Sequence, residues 1–167
     1  GIINLVNSFE YGGKELTVAQ ACAFLAGVTA GADYVTSLTY TTVPNATRVI
    51  GEMNNEASVA AIEAGQTFFS VDESGNVILE YDINSHVTTR GDEPEDIRKN
   101  RPLRVYDTFA NDLLITFVPG KFDNDEDGWG VMEGLGRSML QNYLDDGAIT
   151  NVDLDADFLV DTGRSIG

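Results

Sequence analysis

Apolar and polar positions change period several times along this chain, and each change marks an element. The apolar run at residues 2–6 is followed by the turn signal Tyr11-Gly12-Gly13-Lys14, which predicts an opening strand or hairpin. Thr17-Val18-Ala19-Gln20 has the spacing of a capping box, in which a hydroxyl and an amide each satisfy a free backbone N–H. Val18, Ala21, Cys22, Leu25 and Val28 then fall on one helical face, with Gly31 as the C-cap and Cys22 as a buried, inert thiol. Ala23, Gly27 and Gly31 repeat at small-xxx-small spacing, which predicts tight packing. Residues 38–43, with Thr and Tyr alternating, read as a strand ended by Pro44. Asn54 or Asn55 caps a short helix through Ala57, Val59, Ala60 and Ile62 that stops at Gly65. Residues 67–71 and 77–83 form a predicted hairpin around Asp72-Glu73-Ser74-Gly75-Asn76.

Two longer patterns follow Pro94. Leu103, Tyr106, Ala110, Leu113, Leu114 and Phe117 keep three-and-four spacing, while Pro102 requires a kink or a helix start near Asn100 and Arg101. Residues 129–144 predict a second helix, with Val131, Leu135, Met139 and Tyr143 on one side and Gly147 ending it. Residues 156–161 read as a last strand. Strands and helices alternate, so the expected class is α/β (α+β): a mixed β-sheet with packed helices, including a β-hairpin and two prominent late helices.

Composition narrows the function. At 167 residues and 43% hydrophobic, the chain suits one domain, residues 1–167, with its own core. One cysteine and one histidine exclude a disulfide framework, a multi-Cys zinc site and most histidine-based catalytic sets. His86, beside Ser85 and near Asp82, reads as a structural or surface residue. A net charge of −17 makes nucleic acid and anionic membrane poor partners. The longest apolar run is too short to cross a bilayer, and the start lacks the pattern of a signal peptide. No catalytic residue, no resident metal and no cofactor is expected, so the chain does not read as an enzyme.

Asp123-Asn124-Asp125-Glu126-Asp127-Gly128 copies the first half of an EF-hand loop, but position twelve is Gly134 instead of the bidentate Glu. An acidic loop feeding a helix N-terminus is the preferred reading, since carboxylates there meet the helix dipole favourably. The alternative is an acidic Ca²⁺-dependent binding module using Asp123, Asp125 and Asp127. Charge is also unevenly placed. Arg98, Lys99, Arg101 and Arg104 are four of the ten basic residues, whereas residues 122–163 hold eleven acids and one base, Arg137. A basic strip and an acidic end on one domain suit head-to-tail contacts between identical subunits, which build rings or helical tubes.

The stretch Arg98-Lys99-Asn100-Arg101-Pro102-Leu103-Arg104-Val105-Tyr106-Asp107-Thr108-Phe109-Ala110-Asn111-Asp112 resembles the long-helix motif of contractile phage tail sheath proteins. Other pieces follow in the family's order: residues 21–32, Ser37-Leu38-Thr39-Tyr40, Ala60-Ala61-Ile62-Glu63-Ala64-Gly65, Tyr81-Asp82-Ile83-Asn84, residues 124–128, and Tyr143-Leu144 with Gly147-Ala148-Ile149. The resemblance implies the inner domain of a sheath subunit from a phage, prophage or phage-tail-like particle, a fragment lacking upstream domains and the C-terminal linking strand. It implies a structural role around the tail tube, with other sheath subunits, the tube protein and the baseplate as partners, and synthesis in the bacterial cytoplasm. The late helix is then the tube-facing element. Asp127, Gly128, Glu133 and Arg137 join Arg98, Lys99, Arg101 and Arg104 as expected contact residues. Pro102 departs from the family's aliphatic residue at that place.

Overall fold

A computed structural model describes residues 1–88, 90, 91 and 93–164. Its contacts divide the chain into two compact units, Gly1–Arg104 and Val105–Gly167.

The first unit is built on small sheets. Strand β1 (Asn4–Leu5) pairs in parallel with β5 (Gln66–Thr67). Strands β2 (Ser8–Tyr11), β3 (Lys14–Glu15) and β4 (Ala46–Ile50) make an antiparallel sheet in the order β3-β2-β4. Strands β6 (Phe69–Val71) and β7 (Val77–Leu79) form a hairpin. Between them lie helices α1 (Val18–Gly31) and α2 (Asn55–Glu63). A 3-10 turn at Glu95–Arg98 leads into α3 (Asn100–Thr116), and the division between the units falls inside α3 after Arg104. In the second unit α3 continues, followed by α4 (Glu126–Asp145), a coil and a 3-10 turn at Thr162–Arg164. The α+β class is therefore the one observed.

Local chemistry explains the element ends. Gly12 and Gly13 both have positive φ, 57° and 79°, which is what the tight β2–β3 turn requires. The capping box opens α1, with the Gln20 N–H donating to Thr17 Oγ1 at 3.3 Å and the Thr17 N–H donating to Gln20 Oε1 at 3.0 Å. Asn54 caps α2 by accepting from the Ala57 N–H at 2.9 Å, and Gly65, at φ 67°, ends that segment. In the β6–β7 loop the Asp72 carboxylate accepts from the Ser74 and Asn76 N–H groups. Hydrogen bonds from the Asn76 side chain and then its backbone hold that carboxyl below its ordinary range.

Phe9 is the hub of the first core, edge-on to Phe24 at 5.3 Å and to Phe69 at 4.8 Å. Leu5, Leu25, Leu38, Val43, Val49, Val77 and Leu79 close around it. The buried Asn7 side chain takes the place of a ladder pair against β6. Its Oδ1 accepts from the Phe69 N–H and its Nδ2 donates to the Phe69 carbonyl, both at 2.8 Å.

Several sequence expectations are corrected here. Residues 38–43 are not a continuous strand: Tyr40 has φ 61°, and residues 40–43 meet β7 through an isolated bridge of Thr42 with Ile78 and backbone bonds at Tyr40, Thr41 and Val43. The competing partner is Asp82, whose carboxylate takes the Leu38 N–H at 3.1 Å and whose own N–H donates to Thr39 Oγ1 at 3.0 Å. Residues 156–161 are turns and coil, because Asp153 captures the Asp155 N–H with its side chain and the Ala156 and Asp157 N–H groups with its carbonyl. Strand β4 lies just past Pro44, where the sequence pattern predicts no element. Cys22 is exposed, and Ala21 and Leu25 are the buried residues of α1. That helix is apolar nearly all round, so its period does not choose a face. Gly31 stays inside α1 with Ala32 as cap, and nothing packs within 4 Å of where Gly27 or Gly31 would carry a Cβ.

The late helices are displaced as well. Pro102 sits in the first turn of α3, where a missing N–H costs little, so the helix starts at Asn100 as one of the two expectations had it. Its packed side carries Val105 and Phe109, while Tyr106, Leu114 and Ile115 are exposed. Helix α4 begins at Glu126, earlier than expected, and buries Gly128, Gly136, Leu140 and Tyr143 but leaves Val131 and Leu135 exposed.

Replacing Asn7 with Ala leaves the Phe69 N–H and carbonyl buried and unpaired, which should cost about 1–3 kcal/mol. Urea unfolding should show a lower midpoint with an unchanged slope; an unchanged midpoint would remove the bridge from the account.

Candidate assembly surfaces

The basic strip is built into the first unit. Arg98 donates to the Ile62 carbonyl at 2.9 Å and Arg101 Nε to the Val35 carbonyl at 2.7 Å. Arg104 reaches both the Thr36 carbonyl, at 2.6 Å, and the Asp82 carboxylate, at 2.9 Å. Lys99 pairs with Asp96 at 2.7 Å, and both side chains are largely exposed. Arginines suit such sites because a planar, fixed fork satisfies several oxygens at once.

Asp82 is the anchor of this arrangement. Its side chain is 3% exposed, and Oδ1 accepts from Asn100 Nδ2 at 2.8 Å. Its carbonyl accepts from the Asn100 N–H at 3.0 Å, and Asn100 Nδ2 also donates to the Ile83 carbonyl. Asn84 continues the seam, donating from its N–H to the Arg98 carbonyl and from Nδ2 to that of Ile97. Three segments, around residues 35–39, 82–84 and 97–104, are thus held by one polar knot. His86 lies just beyond it, paired with Glu93 at 2.9 Å. The Arg90 N–H and then His86 hold the Glu93 carboxyl below its ordinary range.

In the second unit Asp125 is the N-cap of α4, accepting from the Gly128 N–H at 2.8 Å. Glu126 and Asp127 occupy the first turn, where the dipole favours them. Gly128 is required by space, since a Cβ there would sit 2.0 Å from the Asp123 carbonyl oxygen. Gly136 is required likewise, with the Phe158 ring 2.1 Å from its would-be Cβ. Phe158 stacks on Phe117 at 5.4 Å, and Phe109 meets Tyr143 edge-on at 5.2 Å. The Tyr143 hydroxyl donates to Asp112 at 2.7 Å, which draws a polar position into the packed side of α3. Glu133 accepts from the Val160 N–H at 3.3 Å, and Arg137 lies 3.6 Å from Glu133 and 3.7 Å from Asp155. Glu133 and Arg137 therefore fasten the coil that follows α4. Among the described residues no cluster of His, Cys, Asp and Glu has the placement of a metal site.

Of the expected contact residues, the structure groups Arg98, Lys99, Arg101 and Arg104 at the knot and Asp127, Gly128, Glu133 and Arg137 along α4. Sequence reasoning missed Asp82, Tyr40 and Tyr81. Their signal lies in the motifs Ser37-Leu38-Thr39-Tyr40 and Tyr81-Asp82-Ile83-Asn84, but a lone Asp after a strand does not announce what it will hold.

Removing Asp82 as Asp82→Ala strands the Arg104 charge in a largely buried place, which should cost about 3–5 kcal/mol. Adding Arg104→Met should recover a large part of that loss in the same thermal melts. An Asp82→Ala protein as stable as the parent would refute the anchoring role. For the acidic loop, Asp125→Ala should lower stability by about 1 kcal/mol through the lost cap. The parent's melting midpoint should not move with millimolar Ca²⁺; a rise of several degrees abolished by Asp125→Ala would establish the Ca²⁺ module.

Residues 1–85 match the phage tail sheath protein central domain, and residues 92–166 match the phage tail sheath C-terminal domain. The XkdK protein of the phage-like element PBSX of Bacillus subtilis is 30% identical over 96% of this chain. The chain spans 37% of that relative's length. The crystal structure of the sheath tail protein of Desulfitobacterium hafniense superposes with a TM-score of 0.87 at 32% identity, over 94% of this chain and 38% of that one. The sheath tail protein Lin1278 of Listeria innocua gives 0.84 at 28%, with the same coverages. A chain of the anti-feeding prophage baseplate shares the fold, with a TM-score of 0.71 at 14% identity over 92% of this chain and 42% of that one. With sheath domains matched in order along both halves, the chain belongs to the phage tail sheath protein family.

Proposed function

We propose that this chain is the inner, assembly-bearing part of a structural subunit of a contractile tail sheath. Subunits assemble in an extended lattice around the tail tube and relax into a shorter, wider one, driving the tube through the target cell envelope. The energy is the free-energy difference between two packings of the same folded domain. The likeness to the Desulfitobacterium hafniense sheath tail protein along 94% of the chain carries this reading.

The role asks for no catalysis and no cofactor. Its partners are other sheath subunits, the tube protein and the baseplate, with neither nucleic acid nor membrane. The protein is made in the bacterial cytoplasm and works in the tail of a virion or a phage-tail-like particle. Helix α4 faces the tube in this reading, presenting Asp127 in its exposed first turn. Gly128, Glu133 and Arg137 shape that helix and the coil fastened to it. On the first unit Arg98, Arg101 and Arg104 shape a face from which Lys99 projects.

Negative-stain microscopy of the full-length protein, purified alone, should show tubular polymers of uniform width. Only small species across the accessible concentration range, with no ordered polymer on addition of the tube protein, would sink the sheath reading.

A further inference from the structure

Beside the Asp82 knot the first unit carries an open recess of about 410 Å³ whose lining includes Ser37, Thr39, Tyr81, Lys99 and Arg101. Its aromatic wall extends outward through Tyr40, whose ring lies 6.0 Å from that of Tyr81 and is well exposed. Tyr40 holds φ 61°, a conformation that Gly or Asn adopts far more readily than an aromatic residue. Strain of this kind survives only where the surroundings over-determine it, and it concentrates at ligand clamps. Here the turn at Leu38–Thr41, pulled toward Asp82, imposes the backbone, and the residue placed on it is one that binding surfaces favour. A hydrogen bond with Tyr81 pushes the Tyr40 phenol above its ordinary range.

The lining carries Lys99 and Arg101 beside the carboxylates of Asp82 and Asp96. Asp82 is matched by Arg104, and Arg101 is steadied through its Nε on the Val35 carbonyl. Lys99 is 60% exposed, and its surface pair with Asp96 is of a kind that exchanges at little cost. The chain as a whole is at −17, so most surfaces of two copies repel; with Asp82 matched by Arg104, this rim sets two cations, Lys99 and Arg101, against the single carboxylate of Asp96. The complementary element is the loop at residues 123–127, with four carboxylates in five residues, all of them exposed.

We propose that this recess receives the acidic 123–127 loop of a second copy of the chain, with Asp123 and Asp127 meeting Lys99 and Arg101 and the loop edge packing on the Tyr40–Tyr81 pair. The two surfaces differ, so the contact is head-to-tail and propagates into a ring or a helix. The proposal rests on the sheath reading and adds to it the residues of one inter-subunit contact. Aromatic and arginine anchors in such a recess carry a disproportionate share of binding energy.

The test uses the full-length protein with two variants. Lys99→Glu reverses the rim, and Tyr40→Gly removes the ring while relieving its backbone strain. Each should keep the parent's melting midpoint, or raise it for Tyr40→Gly, and should raise the concentration needed for pelletable polymer by about tenfold or more. Combining Lys99→Glu with Asp123→Lys and Asp127→Lys should restore assembly. In mixtures of isotopically light and heavy parent protein, a zero-length carbodiimide should join Lys99 of one copy to Asp123 or Asp127 of the other. Parent tubes without that cross-link, formed equally well by both variants, overturn the recess and leave the sheath reading intact. The cross-link without tubes upholds the recess and overturns the sheath reading. Absence of both overturns both, and a Tyr40→Gly protein that fails to fold assigns the ring to the fold and overturns its role in docking.

Discussion

The first unit depends on one buried carboxylate. Asp82 gathers the Leu38 N–H, the Asn100 amide and the Arg104 guanidinium onto two oxygens that are out of reach of water. A buried carboxylate is costly unless its charge and its lone pairs are answered, and here three donors from two separate segments answer them. The same residue holds Leu38 and Thr39 to itself, and its carbonyl takes the Asn100 N–H at the start of α3. A buried ion pair of this kind adds little to net stability over apolar packing. What it supplies is a single solution for where the segments go.

The second unit solves the same problem with shape. Glycines at positions 128 and 136 remove the side chains that would collide with the Asp123 carbonyl and the Phe158 ring. Two glycines inside a helix cost about 1 kcal/mol each relative to alanine, an expense that close contact must offset. Phe158, stacked on Phe117, fills the notch beside Gly136, and Glu133 and Arg137 hold the coil around it. In the sheath role proposed for this chain such rigid seams would matter, because two lattices can differ in free energy only if the blocks that build them keep their shape.

Family and fold class were legible in the sequence, and the reason is locality. A capping box, an Asx cap and a pair of turn glycines are satisfied within a few residues, so Thr17, Asn54, Gly12 and Gly13 say where elements begin and end. The order of short motifs likewise survives without knowledge of what each touches. The position of α3 followed from Pro102, which tolerates only a first turn.

Which face of each helix is buried was decided by tertiary structure alone. Tyr106 and Leu114 lie on an apolar stripe as good as the packed one, but the neighbour of α3 is Tyr143, and its hydroxyl selects the side that offers Asp112. Hydropathy assigns glycine no preference, so Gly128 and Gly136 could not be seen as contact positions until the atoms facing them were known. The arginines read as a basic strip for contacts between subunits because sequence shows their charge and not the carbonyls of Val35, Thr36 and Ile62 that lie far away in the chain. The sequence by itself determined the local hydrogen bonds and the kinship; long-range satisfaction of buried polar groups decided the faces, because only the folded chain brings those partners together.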